Sequence, residues 1–265
     1  MTIELHDRTM TMADKNRLSK VPAVTAAFWV AKIAATTLGE TGGDAVSMSL
    51  NFGYLAATAI FGAIFLVALV AQVSTRRYHP FTYWFVIVAT TTVGTTISDY
   101  LDRTADLGYP LASLILFSLV MAVLLVWRFS TGDISVRHIT DRKTEVFYWV
   151  TILVSNTLGT ALGDYLADSK GLGFEGGAIV FGGVLTLIGL AYFFTSISRT
   201  ILFWAAFILT RPLGATLGDI LTKPVHVGGL NLDRIESSLA LALFMTACIA
   251  LTGLRRPAPA GAASH

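Results

Sequence analysis

The chain has few charged residues, a single cysteine and few histidines for its 265 residues. Charged side chains make up 14% of it, against roughly a quarter in a soluble domain, which excludes an ordinary water-soluble globule. The lone cysteine, Cys248, leaves no disulfide framework and no cysteine-rich metal centre. Five histidines (His6, His79, His138, His226, His265) fall in loops or tails, so neither a zinc site nor a haem-type histidine pair is expected. Nineteen basic against seventeen acidic residues give a formal net charge of +2, and no basic stretch offers a nucleic-acid surface. No H-E-x-x-H, P-loop, G-x-S-x-G or dinucleotide fingerprint occurs, so neither enzymatic chemistry nor an organic cofactor is expected. What is present is apolar: 54% hydrophobic residues and a mean hydropathy of +0.67. The composition predicts an all-α integral membrane protein whose first partner is the lipid bilayer.

A helix needs about 20 apolar residues to cross the hydrocarbon core. Eight segments qualify: 23–45, 53–74, 81–101, 110–130, 146–167, 175–197, 200–221 and 236–254. None shows the period-2 alternation of a β-barrel strand. Residues 1–21 read as a polar N-terminal tail, 22–254 as the membrane domain and 255–265 as a disordered tail. Thirteen Lys and Arg fall on the side that holds both termini, against four (Arg103, Lys170, Lys223, Arg234) on the other. Positive-inside therefore predicts cytoplasmic termini in a bacterial inner membrane. Lys32 and Arg211 fall inside predicted spans.

The membrane domain repeats itself. Each of Trp29, Trp84, Trp149 and Trp204 follows a Phe or Tyr. Ten residues after each comes a glycine (Gly39, Gly94, Gly159, Gly214), and fifteen after each an aspartate (Asp44, Asp99, Asp164, Asp219). The residue before that aspartate is Gly43, Ser98, Gly163 or Gly218. The repeats fall at about 22–77, 78–130, 143–198 and 199–254, two spans each. Every repeat thus enters from the same side, as parallel repeats about an axis along the membrane normal. The simplest arrangement is a ring of four helix hairpins with pseudo-four-fold symmetry; a pair of pseudo-two-fold dimers is the alternative. Assembly as a homo-oligomer is compatible with either.

This pattern, four times over eight spans, resembles the bacterial repeat-of-unknown-function family often labelled uncharacterised membrane-anchored proteins. Its members are described as four tandem repeats, each with two spans and a characteristic Trp. The resemblance covers essentially the whole membrane domain and implies fold and location but no mechanism.

Glycines four apart on one helix face let another backbone approach, so Gly39/Gly43, Gly94/Ser98, Gly159/Gly163 and Gly214/Gly218 are expected to pack helices. The tryptophans are expected to anchor at the headgroup boundary. The aspartates lie about 22 Å beyond them. Hydroxyls share their face: Thr37 and Thr41 with Glu40 in the first repeat, Thr92, Thr95 and Thr96 in the second, Thr157 and Thr160 in the third, Thr216 in the fourth. Such hard oxygen ligands suit Mg, Ca, Mn, alkali cations or protons, and make Asp44, Asp99, Asp164, Asp219 and Glu40 candidate metal ligands. The rival reading has each aspartate capping a neighbouring helix. Symmetry breaks at Glu40 (elsewhere Thr95, Thr160, Ala215), at Arg211 (elsewhere Thr36, Thr91, Asn156) and at Lys32 (elsewhere Ile87, Ile152, Phe207). Lys32 is expected to snorkel to the headgroups, Pro212 to kink or unwind its helix, and Glu40 to meet Arg211 if the ring closes. The function expected is a small-cation transporter or exporter, hard divalent or proton-coupled, with the Asp/Thr stripes as its pathway and a bound hard cation as its ligand. A structural or partner-binding membrane protein is the alternative, and an intramembrane enzyme acting on a lipid or quinone is less favoured.

Overall fold

A computed structural model of the chain describes residues 20–75, 78–136, 139, 141–169 and 171–254; the expectations for residues 1–19 and 255–265 lie outside these. Among the described residues the long elements are eight α-helices: α1 (Ala26–Asp44), α2 (Gly53–Ser74), α3 (Pro80–Asp99), α4 (Tyr109–Thr131), α5 (Arg142–Asp164), α6 (Gly173–Phe194), α7 (Arg199–Thr222) and α8 (Arg234–Leu254). Their starts carry ordinary signals. Thr25 Oγ1 accepts the Phe28 amide, Asp141 Oδ1 accepts the Thr144 amide, and prolines open α3 and the first turn of α4. Gly132 closes α4 in a left-handed conformation, φ 81°. The helix α7 runs on through Pro212 rather than unwinding there.

Six helices, all but α1 and α3, are long and apolar enough to cross a membrane, as in a multi-pass membrane protein. The two exceptions bury polar side chains instead: Lys32, Thr36, Glu40 and Asp44 in α1, and Thr90–Thr92, Thr95, Thr96 and Asp99 in α3. In α5 and α7, 67% of the apolar stretch is buried, against 17, 33, 11 and 11% in α2, α4, α6 and α8. Odd helices therefore form the interior and even helices the cover, whose outward residues (Leu66, Val67, Leu114, Leu187, Leu243) are apolar.

Packing closes a circuit: α1 lies against α3 and α7, and α5 lies against α3 and α7. The cover corrects the expectation of helix hairpins. The helix α2 packs principally on α3, α4 on α5, α6 on α7, and α8 returns to α1. The second helix of each repeat thus covers the first helix of the next repeat. After α1, α3 and α5 the chain makes a π-helical turn (Ala45–Ser49, Tyr100–Thr104, Tyr165–Ser169) before its next helix. Left-handed residues follow each turn, Asn51 and Gly53, Asp106 and Gly108, Gly171 and Gly173, all with φ between 56° and 73°. These connections send the even helix away from its own repeat.

Candidate functional site: a buried charged column

Four glycines set the helix spacing. A Cβ at Gly39 would stand 2.5 Å from Thr91 Cβ, one at Gly159 2.5 Å from Arg211 Cβ, and one at Gly214 2.5 Å from Thr36 Cβ. At Gly94 it would meet Asn156 and Thr157 at 3.0–3.2 Å. In every case the neighbour is the residue seven after the Trp of the next repeat, and the fourth repeat meets the first. The second glycine row does likewise: Gly43 faces Thr95, Gly163 faces Ala215, and Gly218 faces Glu40. Two of the three positions where symmetry breaks, Arg211 and Glu40, thus stand against these glycines, and Lys32 does not.

At the tryptophan end the same cyclic contact recurs in aromatic rings. Phe28 lies 5.6 Å from Trp84, Tyr83 5.6 Å from Trp149, Tyr148 6.3 Å from Trp204, and Phe203 5.8 Å from Trp29. Tyr83 and Tyr148 hydroxyls share a 2.5 Å hydrogen bond. Trp84, Trp149 and Trp204 are 4, 2 and 3% exposed, and Trp29 is half-buried. They pack against the rings of the neighbouring inner helices. Residues between α4 and α5 reach this layer too: Val136 and Ile139 are buried in it, and Trp204 Nε1 donates to Ile134 O at 2.9 Å.

Deeper in, Lys32 is fully buried rather than snorkelling. Its Nζ donates to Asn156 Oδ1 at 3.2 Å and stands 4.2 Å from the centre of the Phe207 ring. Asn156 is held in that orientation because its Nδ2 donates to Thr90 Oγ1 at 3.0 Å. One level further, Arg211 Nη2 lies 3.0 Å from Glu40 Oε2, with Arg211 0% exposed. The same nitrogen donates to Thr160 Oγ1 at 2.7 Å and to Thr95 Oγ1, and Nη1 donates to Thr36 O at 3.4 Å. Thr95 Oγ1 in turn donates to Glu40 Oε2 at 3.3 Å. Arg211 pairs with Glu40 and not with Asp219.

The four aspartates, all buried, are each met by a base. Arg103 lies 3.1 Å from Asp99 and 3.5 Å from Asp164; Lys223 lies 2.8 Å from Asp44 and 3.2 Å from Asp219. Arg234 adds a contact to Asp44 at 3.6 Å. Among the described residues no three acidic, His or Cys side chains converge on a point that could hold a metal ion, which corrects the candidate metal cage. The aspartates are paired rather than pooled, because a base four residues on reaches both its own aspartate and the next repeat's.

The predicted hydroxyl stripe divides. Thr95 and Thr160 serve Arg211. Thr37, Thr41, Thr92, Thr96, Thr157 and Thr216 donate to carbonyls of their own helices at 2.9–3.4 Å, and Thr41 also accepts from Ser238 on α8. Sequence reasoning missed Arg103 and Lys223 as partners. Both stand nineteen residues after a Trp and four after an Asp, an acid–base helix spacing legible without a structure. It also missed Asn156 as the acceptor for Lys32, and the buried ion pair of Lys20 and Glu145 at 2.7 Å.

The family of these repeats is clear: the chain belongs to the Repeat of Unknown Function (DUF347) family, whose profile matches residues 27–78, 82–133, 147–198 and 202–256. No curated protein and no solved structure matches the chain.

Proposed function

With membership of that repeat family as the premise, we propose that the protein is a small-cation transporter coupled to protons. In this reading all eight helices cross a bacterial inner membrane, the repeats stand about a pseudo-four-fold axis along its normal, and both termini are cytoplasmic. The observation that carries it is the column of buried charge, Lys32, then Arg211 with Glu40, then the aspartates with their bases, inside a cover of apolar helices. Charges in a membrane interior are costly and are kept where they move something. Each carboxylate holds a base that a cation or a proton can displace, so an arriving ion exchanges one partner for another instead of entering a bare site. Pairing of this kind suits an alkali cation or a proton better than a divalent-metal cage. The aromatic layer at the tryptophan end closes the column on the cytoplasmic side.

Purified protein in liposomes, with a panel of Na+, K+, Mg2+, Ca2+ and Mn2+ under imposed pH gradients, tests the reading. Flux above empty liposomes is expected for at least one ion, falling at least tenfold in Asp44→Asn, Asp99→Asn, Asp164→Asn or Asp219→Asn. Wild-type flux equal to that of empty liposomes across the panel would overturn transport and favour a structural or partner-binding membrane protein, in which the Glu40–Arg211 pair merely fixes helix register. Orientation is tested on a Cys248→Ala background. Ser169→Cys should be labelled from outside whole cells and Ser135→Cys spared.

A further inference from the structure

We propose that the eight helices work as two bodies of four that pivot on one another, with the Lys20–Glu145 ion pair as the latch that holds the tryptophan end shut. One body is α1, α6, α7 and α8; the other is α2 to α5. For what the pivot serves, the proposal rests on the transporter reading; the division itself stands on geometry.

The cover helices divide in their principal contacts, α6 on α7 and α8 on α1 in the first body, α2 on α3 and α4 on α5 in the second, with α8 also touching α3. The ion pairs divide the same way. Arg103 ties α3 to α5 through Asp99 and Asp164. Lys223 ties α7 to α1 through Asp219 and Asp44, Arg234 ties α8 to α1, and Arg211–Glu40 ties α7 to α1 again. The aromatic layer is shared: the Tyr83–Tyr148 bond lies within the second body and the Phe28–Phe203 contact, 6.3 Å, within the first, while Phe28–Trp84 at 5.6 Å and Tyr148–Trp204 at 6.3 Å cross between them through apolar ring contact alone.

Between the bodies the bonds have a different chemistry. The buried charges Lys32, Glu40 and Arg211 all belong to the first body, and across the seam they meet only neutral groups: Asn156, Thr95 and Thr160. Thr91 and Thr95 add hydroxyl-to-carbonyl bonds to Ala35 O at 3.1 Å and Gly39 O at 3.3 Å. A charged group can exchange one neutral partner for another, or for water, without stranding an opposite charge, whereas separating a buried ion pair strands both. The seam can therefore slide while each body stays whole. Among the described residues the helices of the two bodies are joined at 45–52 and 165–172, equivalent places in the first and third repeats, each with a π-helical turn and a left-handed residue.

One ion pair among the described residues breaks this rule. Lys20, ahead of α1, lies 2.7 Å from Glu145 on α5, and both are buried. Lys20 Nζ also donates to Val73 O at 3.2 Å, and Gln72 Nε2 donates to Lys20 O at 3.4 Å. The segment before α1 is thus fastened to the second body at the tryptophan end, while the aspartate end has no ion pair across the seam among the described residues.

Double electron–electron resonance on the full chain, Cys248→Ala background, tests this with spin labels at exposed positions. Leu66→Cys on α2 with Leu243→Cys on α8 spans the seam; Leu66→Cys with Leu114→Cys on α4 stays within one body. Glu145→Gln is expected to broaden or shift the first distance and leave the second unchanged. Lys20→Gln, outside any helix, should do the same and serves if Glu145→Gln does not fold. A Gly163→Cys/Ala215→Cys disulfide between α5 and α7, where the Cβ positions are 3.3 Å apart, should return the first distance to a single narrow peak. Latch variants that leave both distances at their wild-type values, or broaden both alike, would overturn the proposal. Movement across the seam in protein that carries no flux would support the two bodies and sink the transporter reading alone.

Discussion

At matched positions along the bundle, α1 buries Glu40 and α7 buries Arg211 where α3 and α5 bury Thr95, Thr160, Thr91 and Asn156. All four helices descend from one repeat, and the same glycine approaches press these positions inward. The hydroxyls have an alternative at home: the one proton of Thr91 Oγ1 can go to Val88 O at 2.9 Å instead of Ala35 O, and that of Thr95 Oγ1 to Thr91 O at 3.1 Å instead of Gly39 O. A charge has no such local solution. Arg211 needs a carboxylate on another helix and hydroxyls on two more, so it binds the bundle together where a threonine only fills it.

The sharpest way to break the comparison is to remove one charge and leave the other. Glu40→Gln and Arg211→Gln should each lose about 3–5 kcal/mol, because each strands a buried ion. The double variant should lose less than their sum, as read from thermal unfolding in detergent. Strict additivity would mean that the pair is energetically independent. A smaller effect is expected where the glycines admit the charged side. Gly214→Ala forces Thr36 and its backbone aside and should cost about 1–3 kcal/mol. Gly182→Ala, with nothing near its added Cβ, should be close to neutral. Gly214→Ala no more costly than Gly182→Ala would show that helix approach does not govern these sites.

The neutral side is tested at Asn156. Asn156→Leu leaves Lys32 without its hydrogen-bond acceptor and should cost about 1–3 kcal/mol, whereas Ile87→Leu, at the depth of Lys32 in the second repeat, should cost less than about 1.5 kcal/mol. The smallest effect lies outside the column. Asp141 caps α5, and its carboxyl is held below the usual range. Partial burial works against this, but hydrogen bonds from Thr144 and from backbone amides outweigh it. Its contribution is therefore present above the ordinary carboxylate range and lost as pH falls through it. Asp141→Ala should cost about 1 kcal/mol near neutrality and progressively less below about pH 4, by thermal unfolding.

Much of this was legible in particular residues. The Trp, Gly and Asp offsets located the inner helices, and the departures at Glu40 and Arg211 named two side chains that the fold brings to 3.0 Å. The packing of the tryptophans was not legible, because an amphipathic ring suits a headgroup and a helix interface equally well; the contacts with Phe28, Tyr83, Tyr148 and Phe203 come from other helices. Lys32 misled for a like reason. Its long side chain can reach water or an amide, and Asn156 lies 124 residues away.

The sequence by itself determined the helices, their number among the described residues, the four-fold repeat and the depth of every repeated side chain. Those follow from periodicity and composition, which act along the chain. The tertiary structure alone decided that α2 covers α3 and not α1, that Arg103 and Lys223 neutralise the aspartates in pairs, and that Lys32 turns inward. Each of these depends on which helix comes alongside. The turns after α1, α3 and α5 settle that by sending the next helix to the following repeat, and the glycines set how closely the inner helices then approach.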